Sequence, residues 1–224
     1  MRKPKIFIAC DTKDLKKVKK IISQSQTNKI KIGYKFGLEF LNSKNGRQFV
    51  SKLKNKIIFA DLKLSDVPNT MLSAVKTLKD LKLNYLTVHI SSGLTALRAV
   101  KKVSGSIKIL GVSTLTSLND KDLKLIGYGR SVKNLVAHQA KLARRAKLDG
   151  IICSGQEAKL LKKICKGMEI ITPGIRLRGD SIGDQKRVML PKDAFKNGAT
   201  AIVMGRSITK GNIKNNLLKL IKSL

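Results

Sequence analysis

The stretch Ile57-Ile58-Phe59-Ala60-Asp61-Leu62-Lys63-Leu64-Ser65-Asp66-Val67-Pro68-Asn69-Thr70 changes character partway along. Its first four residues are apolar and rich in β-branched and aromatic side chains, which reads as a buried strand. Asp61, Lys63 and Asp66 then set an acid, a base and a second acid within six positions. Strand side chains alternate faces, so Asp61 and Lys63 are expected to point the same way, roughly 6.6 Å apart at ~3.3 Å per residue. Asp66 falls past the strand, in a turn that Pro68 closes. A helix is expected from Thr70, with Met71, Leu72, Val75 and Leu78 along one side. The competing interpretation is an ordinary surface ion pair, but such pairs rarely crown an apolar strand whose inward phase they share. Strand, charged tip, turn and helix form one βα unit with its charges at the carboxyl end of the strand.

The unit repeats along the chain. Strands are expected over 5–10, 30–36, 57–62, 85–89, 107–112, 150–153, 169–172 and 200–204. Amphipathic helical stretches fall between them, over 14–23, 46–53, 69–81, 94–103, 131–147, 156–165 and 191–197, and the chain ends on 213–224. Eight strand–helix pairs make the pattern of a (β/α)8 TIM barrel, slightly short of its usual ~250 residues. A doubly wound open sheet is the alternative. With no linker-like Pro/Ser/Gly tract, the 224 residues read as a single domain, 1–224.

A barrel gathers its chemistry at the carboxyl ends of its strands. Polar residues stand at seven of these ends: Asp11, Lys35, Asp61 with Lys63, His89, Thr114 with Thr116, Arg176 after Pro173-Gly174-Ile175, and Arg206 in Gly205-Arg206-Ser207. At the last, backbone N–H groups and a guanidinium can converge on one anion, the usual phosphate position in barrels. The polar run from Gly174 to Arg187 is too long for an ordinary βα connection and reads as a lid, in which Arg176 and Gln185 close over a ligand. His89 is open to two interpretations, substrate contact or a hydrogen-bonded structural histidine. His138 is incidental.

Composition narrows the classes. The net charge of +33 is the footprint of polyanion binding. Yet 37 of the 47 basic residues are lysine, they are scattered along helical segments, and Trp is absent, so neither a guanidinium-based reader nor a stacking platform is visible. A solvated lysine-rich surface is favoured, with nucleic acid bound only non-specifically through charge. No apolar window is long enough to span a membrane, and no cleaved signal is visible at the N-terminus. Three unclustered cysteines, Cys10, Cys153 and Cys165, suit reduced thiols in a cytoplasm.

Five segments together resemble orotidine 5′-phosphate decarboxylases: Asp61 to Thr70, Val112 to Ser117, Cys153 to Ala158, Thr172 to Arg176 with Gly183 to Arg187, and Gly205 to Thr209. They occur in the family's order and span nearly the whole chain. Ser65 stands where many members carry histidine, a position without assigned chemistry. Both Lys31-Ile32-Gly33 and Lys35-Phe36-Gly37 resemble the family's K-x-G signature, and Glu39 and the spacing to Asp61 favour Lys35.

The resemblance implies cofactor-free loss of CO₂ from C6 of the orotate ring in pyrimidine biosynthesis, with no metal. It implies an alternating charged array of Lys35, Asp61, Lys63 and Asp66, in which Asp66 reaches into the site of a partner subunit of a homodimer and Thr70 is also supplied across the interface. Asp11 and Lys35 would hold the ribose, Thr70 and Thr116 would line the nucleotide, and Arg176, Gln185, Gly205 and Arg206 would bind phosphate. Two competing readings have their own tests. Related barrels with D-x-K-x-x-D use Mg²⁺ on keto-sugar phosphates and would lose activity in EDTA. An RNA-binding protein would bind tightly at about 200 mM salt.

Overall fold

The structure is a computed structural model that describes residues 3–180 and 188–224. Its strands are β1 Lys5–Ala9, β2 Lys31–Gly37, β3 Ile57–Leu64, β4 Tyr85–His89, β5 Lys108–Val112, β6 Gly150–Ile152, β7 Glu169–Thr172 and β8 Ala201–Met204. Each pairs in parallel with the next, and β1 also pairs in parallel with β8, with Lys5 opposite both Lys31 and Ala201. That last pairing closes the sheet, so the fold is the (β/α)8 barrel, not the open sheet, which would leave two edges.

The period-2 alternation sorts the side chains into two cores. Phe7, Ala9, Phe59, Tyr85, Leu110, Ile171, Ala201 and Val203 point into the barrel and form a cluster of their own. Ile6, Ile8 and Cys10, on the other face of β1, pack outward with the helices. Inside, Phe7 meets Phe59 and Tyr85 edge-on at 5.0 and 5.1 Å, arrangements favoured by the ring quadrupole. Gly33 makes room for this ring, because a Cβ there would lie 2.7 Å from it.

Below the rings a polar cluster closes the amino end. Glu169 accepts from the ammonium groups of Lys5 at 2.7 Å and Lys108 at 2.6 Å. The Tyr85 hydroxyl donates to Glu169 at 3.1 Å and accepts from Lys5 at 2.8 Å. Burial, reinforced by the Glu169 charge, pushes the Tyr85 phenol up to about 12. Burial alone would raise Glu169, but the two lysines outweigh it and hold its carboxyl below the usual value.

Helices form where an apolar stripe meets a cap. In the helix Leu15–Gln24, Asp14 accepts from the N–H groups of Lys16 and Lys17, and Val18, Ile21 and Ile22 are buried while lysines face solvent. The short helices Leu38–Leu41, Ile90–Ser92 and Asp120–Leu125 were not expected from the sequence, whereas Arg206–Thr209 is the helix expected where the chain leaves β8. The helix after β3 begins at Pro68 rather than Thr70. Proline fits the first helical position because its missing N–H has no intrahelical partner there and its φ is already helical. Among the described residues no helix is long and apolar enough to cross a membrane.

Candidate active site

At the carboxyl end of the barrel, charge alternates through direct contacts. Lys35 donates to Asp11 Oδ1 at 2.9 Å and approaches Asp61 Oδ2 at 3.2 Å. Lys63 donates to that same Oδ2 at 2.8 Å. Asp11, Lys35, Asp61 and Lys63 therefore form an unbroken acid–base–acid–base chain. Gly37 leaves the space this requires, since a Cβ there would crowd Asp11 Oδ1 at 3.1 Å. Lys31 sits at the other end of β2, exposed and opposite Lys5, so the structure brings Lys35 and not Lys31 to the cluster.

Burial fixes the protonation states only because the charges are paired. Desolvation pulls Lys35 down, yet the Asp61 and Asp11 carboxylates outweigh it and leave its ammonium above the ordinary lysine value. Desolvation pushes Asp61 up, and Lys35 and Lys63 outweigh that in turn, holding its carboxyl below the usual range. Lys35 and Asp61 thus stay ionised in a site where Asp61 is 9% and Lys35 8% exposed.

Strand alternation alone does not produce this geometry. β3 and β4 run in step through Phe59–Tyr85 and Ala60–Leu86, and resume at Leu64–Val88, so three residues of β3 face Thr87 alone. Lys63 lies in the left-handed region at φ 51°. The expected simple alternation of Asp61 and Lys63 is replaced by a bulge that folds Lys63 back onto Asp61. Thr87 was missed in the sequence, where a threonine in a strand reads as β-propensity. The available signal was its place two residues before His89, on the same inward face.

A cavity of about 730 Å³ opens over the array. Asp11, Lys35, Asp61 and Lys63 line one part, Arg176, Gly205 and Arg206 another, and Thr114 and Thr116 also reach it. Met189 clamps the strand exit before Arg176, accepting from the Arg176 N–H at 3.0 Å and donating to the Gly174 carbonyl at 3.3 Å. A Cβ on Gly205 would meet only Ala9, at an ordinary 3.7 Å, so packing does not demand glycine there. Lys17, read from the sequence as a surface lysine, also lines the cavity.

Asp66 and Thr70 are not brought to this cavity. Both are exposed, Asp66 capping the Val67 N–H at 2.6 Å, and the neighbouring Val67 is 62% exposed. His89 is half-buried and does not line the cavity; burial and the nearby Lys63 charge lower its pKa against the pull of Asp61. Gln185, and the part of the expected lid over 181–187, lie outside the described residues.

Comparison with known proteins places these features in context. The sequence model of the orotidine 5′-phosphate decarboxylase / HUMPS family matches residues 4–217. The chain is 42% identical to an orotidine 5′-phosphate decarboxylase of Wolbachia sp. subsp. Brugia malayi, over 98% of each chain. It is 39% identical to one from Prochlorococcus marinus strain MIT 9215, over 98% of this chain and 95% of the other. The crystal structure of the Lactobacillus acidophilus orotidine 5′-phosphate decarboxylase superposes with a TM-score of 0.83 at 30% identity, covering 99% of this chain and 98% of that one.

Proposed function

The chain belongs to the orotidine 5′-phosphate decarboxylase / HUMPS family, and from that premise we propose that it converts orotidine 5′-phosphate to uridine 5′-phosphate without a cofactor, as a step of pyrimidine biosynthesis. It is a carboxy-lyase in this reading, a single-domain barrel acting in the cytoplasm. The observation that carries the reading is the Asp61 carboxylate gripped by two ammonium groups at the wall of a cavity that Lys17, Arg176 and Arg206 also line.

The phosphate binds to Arg176, Arg206 and the open backbone at Gly205, with Gln185 also contributing. Asp11 and Lys35 take the ribose hydroxyls, and Thr116 lines the nucleotide. This sets the substrate carboxylate against Asp61, where the ground state is repulsive and the repulsion falls as CO₂ leaves. The bond from C6 to the carboxylate carbon breaks and its electron pair stays on C6. No adjacent carbonyl can absorb that charge, so it is stabilised by the Lys63 ammonium. A proton passes from Lys63 Nζ to C6, and the neutral amine, 33% exposed, regains one from water. Binding energy at the remote phosphate supplies the positioning.

The exposure of Asp66, Val67 and Thr70 supports a homodimer in which Asp66 and Thr70 complete the partner's site. Mixing Lys63→Ala with Asp66→Asn subunits should then recover about a quarter of wild-type turnover, since half of the dimers carry one intact site of two. No recovery would place Asp66 in its own subunit's site.

The direct test follows the loss of orotidine 5′-phosphate absorbance on adding purified, chelator-treated protein. Turnover in EDTA is expected; activity that requires Mg²⁺ would favour the keto-sugar phosphate chemistry instead. Single-turnover formation of uridine 5′-phosphate by Lys63→Ala tests the proton donor.

A further inference from the structure

We propose that Thr87 is the positioning residue of the Asp61–Lys63 pair, holding both partners through one hydroxyl across the bulge in the barrel wall. The proposal rests on the reading that these two residues carry the decarboxylation.

A bulge leaves backbone groups without their regular ladder partners and re-aims the side chains it carries. Here Asp61, Leu62 and Lys63 stand opposite one residue. The Lys63 N–H donates to Thr87 Oγ1 at 2.9 Å. The hydroxyl's single proton is donated onward to Asp61 Oδ1 at 3.0 Å. One side chain therefore substitutes for a missing ladder contact and fixes the rotation of the carboxylate. With Oδ1 held by Thr87, Oδ2 is the oxygen left to face Lys35 and Lys63, at 3.2 and 2.8 Å.

The left-handed backbone at Lys63 is disfavoured for a residue with a Cβ and persists only where its surroundings over-determine it. The Thr87 contact to its N–H supplies that determination. Thr87 is fully buried and does not line the cavity, so it acts through its neighbours and not on the substrate. Its β-branched side chain has few χ1 choices, which aims the hydroxyl before substrate arrives. Valine would keep the shape and leave both the Oδ1 atom and the Lys63 N–H without this partner.

Steady-state decarboxylation of orotidine 5′-phosphate, with the thermal midpoint measured in parallel, decides the matter for Thr87→Val and Thr87→Ser. Thr87→Val should lower kcat about 10- to 100-fold, the worth of hydrogen bonds to a charged group. KM should stay within about 3-fold, because the phosphate contacts are untouched. Thr87→Ser should restore most of kcat, and Thr87→Val placed in a Lys63→Ala background should cause no further loss. If Thr87→Val does not fold, Thr87→Ala removes the hydroxyl without pressing a methyl on the carboxylate and is read the same way. A kcat within about 2-fold of wild type, a defect confined to KM, or a serine variant as impaired as valine would overturn the proposal. Inactive Lys63→Ala beside unimpaired Thr87→Val sinks this proposal alone; near wild-type turnover of Lys63→Ala sinks the catalytic reading and the proposal with it.

Discussion

Each end of the barrel carries a carboxylate held between two lysines and touched by a hydroxyl from β4. At the carboxyl end Asp61 lies between Lys35 and Lys63 and accepts from Thr87. At the amino end Glu169 lies between Lys5 and Lys108 and accepts from Tyr85. The chemistry of the groups is nearly the same, and so is the direction in which each carboxylate's pKa moves. What differs is the wall. Around Glu169 the ladder is regular, with Tyr85 opposite Lys108. The Phe7, Phe59 and Tyr85 rings pack beside that cluster, and none of its four members borders the large cavity. Around Asp61 the ladder slips and a cavity opens. An ion cluster whose members pair with one another across a regular ladder holds the fold together, and the same cluster on a distorted wall beside open space can act on a ligand.

That contrast can be broken by exchanging what is lost at each end. Lys63→Ala should reduce single-turnover decarboxylation by at least about 10³-fold, combining a lost proton donor with lost charge stabilisation. Its thermal midpoint should change little, because Lys63 is one-third exposed and an ion pair there is worth little to stability. Turnover near wild type would mean that the two clusters do not differ in kind.

The reverse holds at the floor. Glu169→Gln leaves Lys5 and Lys108 facing each other without their anion and should cost about 2 kcal/mol, a drop of roughly 4–8 °C in the thermal midpoint for a chain of this size. Turnover per folded molecule should stay within about 2-fold. A fall in kcat at an unchanged midpoint would erase the distinction between a structural and a chemical end.

The smallest effect is in pH. Glu169 has a folded-state pKa below its unfolded one, so its stabilisation is present above the ordinary glutamate value and is lost as pH falls through the lower folded value. Acid titration of stability should therefore bring wild type and Glu169→Gln together below the ordinary glutamate range. At the other end Asp61 is also lowered, so its ionisation should put no acid limb on turnover above the ordinary aspartate range. Lys35 is raised, so its pairing is complete below the ordinary lysine value and fades only as pH climbs through the higher folded one.

Much of the active end could be read from the sequence because its residues obey simple rules. Lys35 and Asp61 sit in the inward phase of apolar strands, and the family segments around them are local in the chain. The floor could not be read so. Lys5, Lys108 and Glu169 stand at strand starts, where charged residues look like solvated surface, and Lys5 meets Glu169 across 164 positions only once the barrel closes. The bulge was hidden as well, since Asp61-Leu62-Lys63 alternates as a regular strand would and the slip is visible only against β4. The helix start at Pro68 was mistaken for a turn because proline serves both positions.

Tyr85 and Thr87 are two residues apart on β4 and send their hydroxyls to opposite ends of the barrel. Sliding β4 by one position would turn both hydroxyls outward and push Leu86 and Val88 against the Asp61 and Glu169 carboxylates. A misaligned closure would thus be penalised at the floor and the rim together. One strand thus ties the register of the barrel to both of its ends.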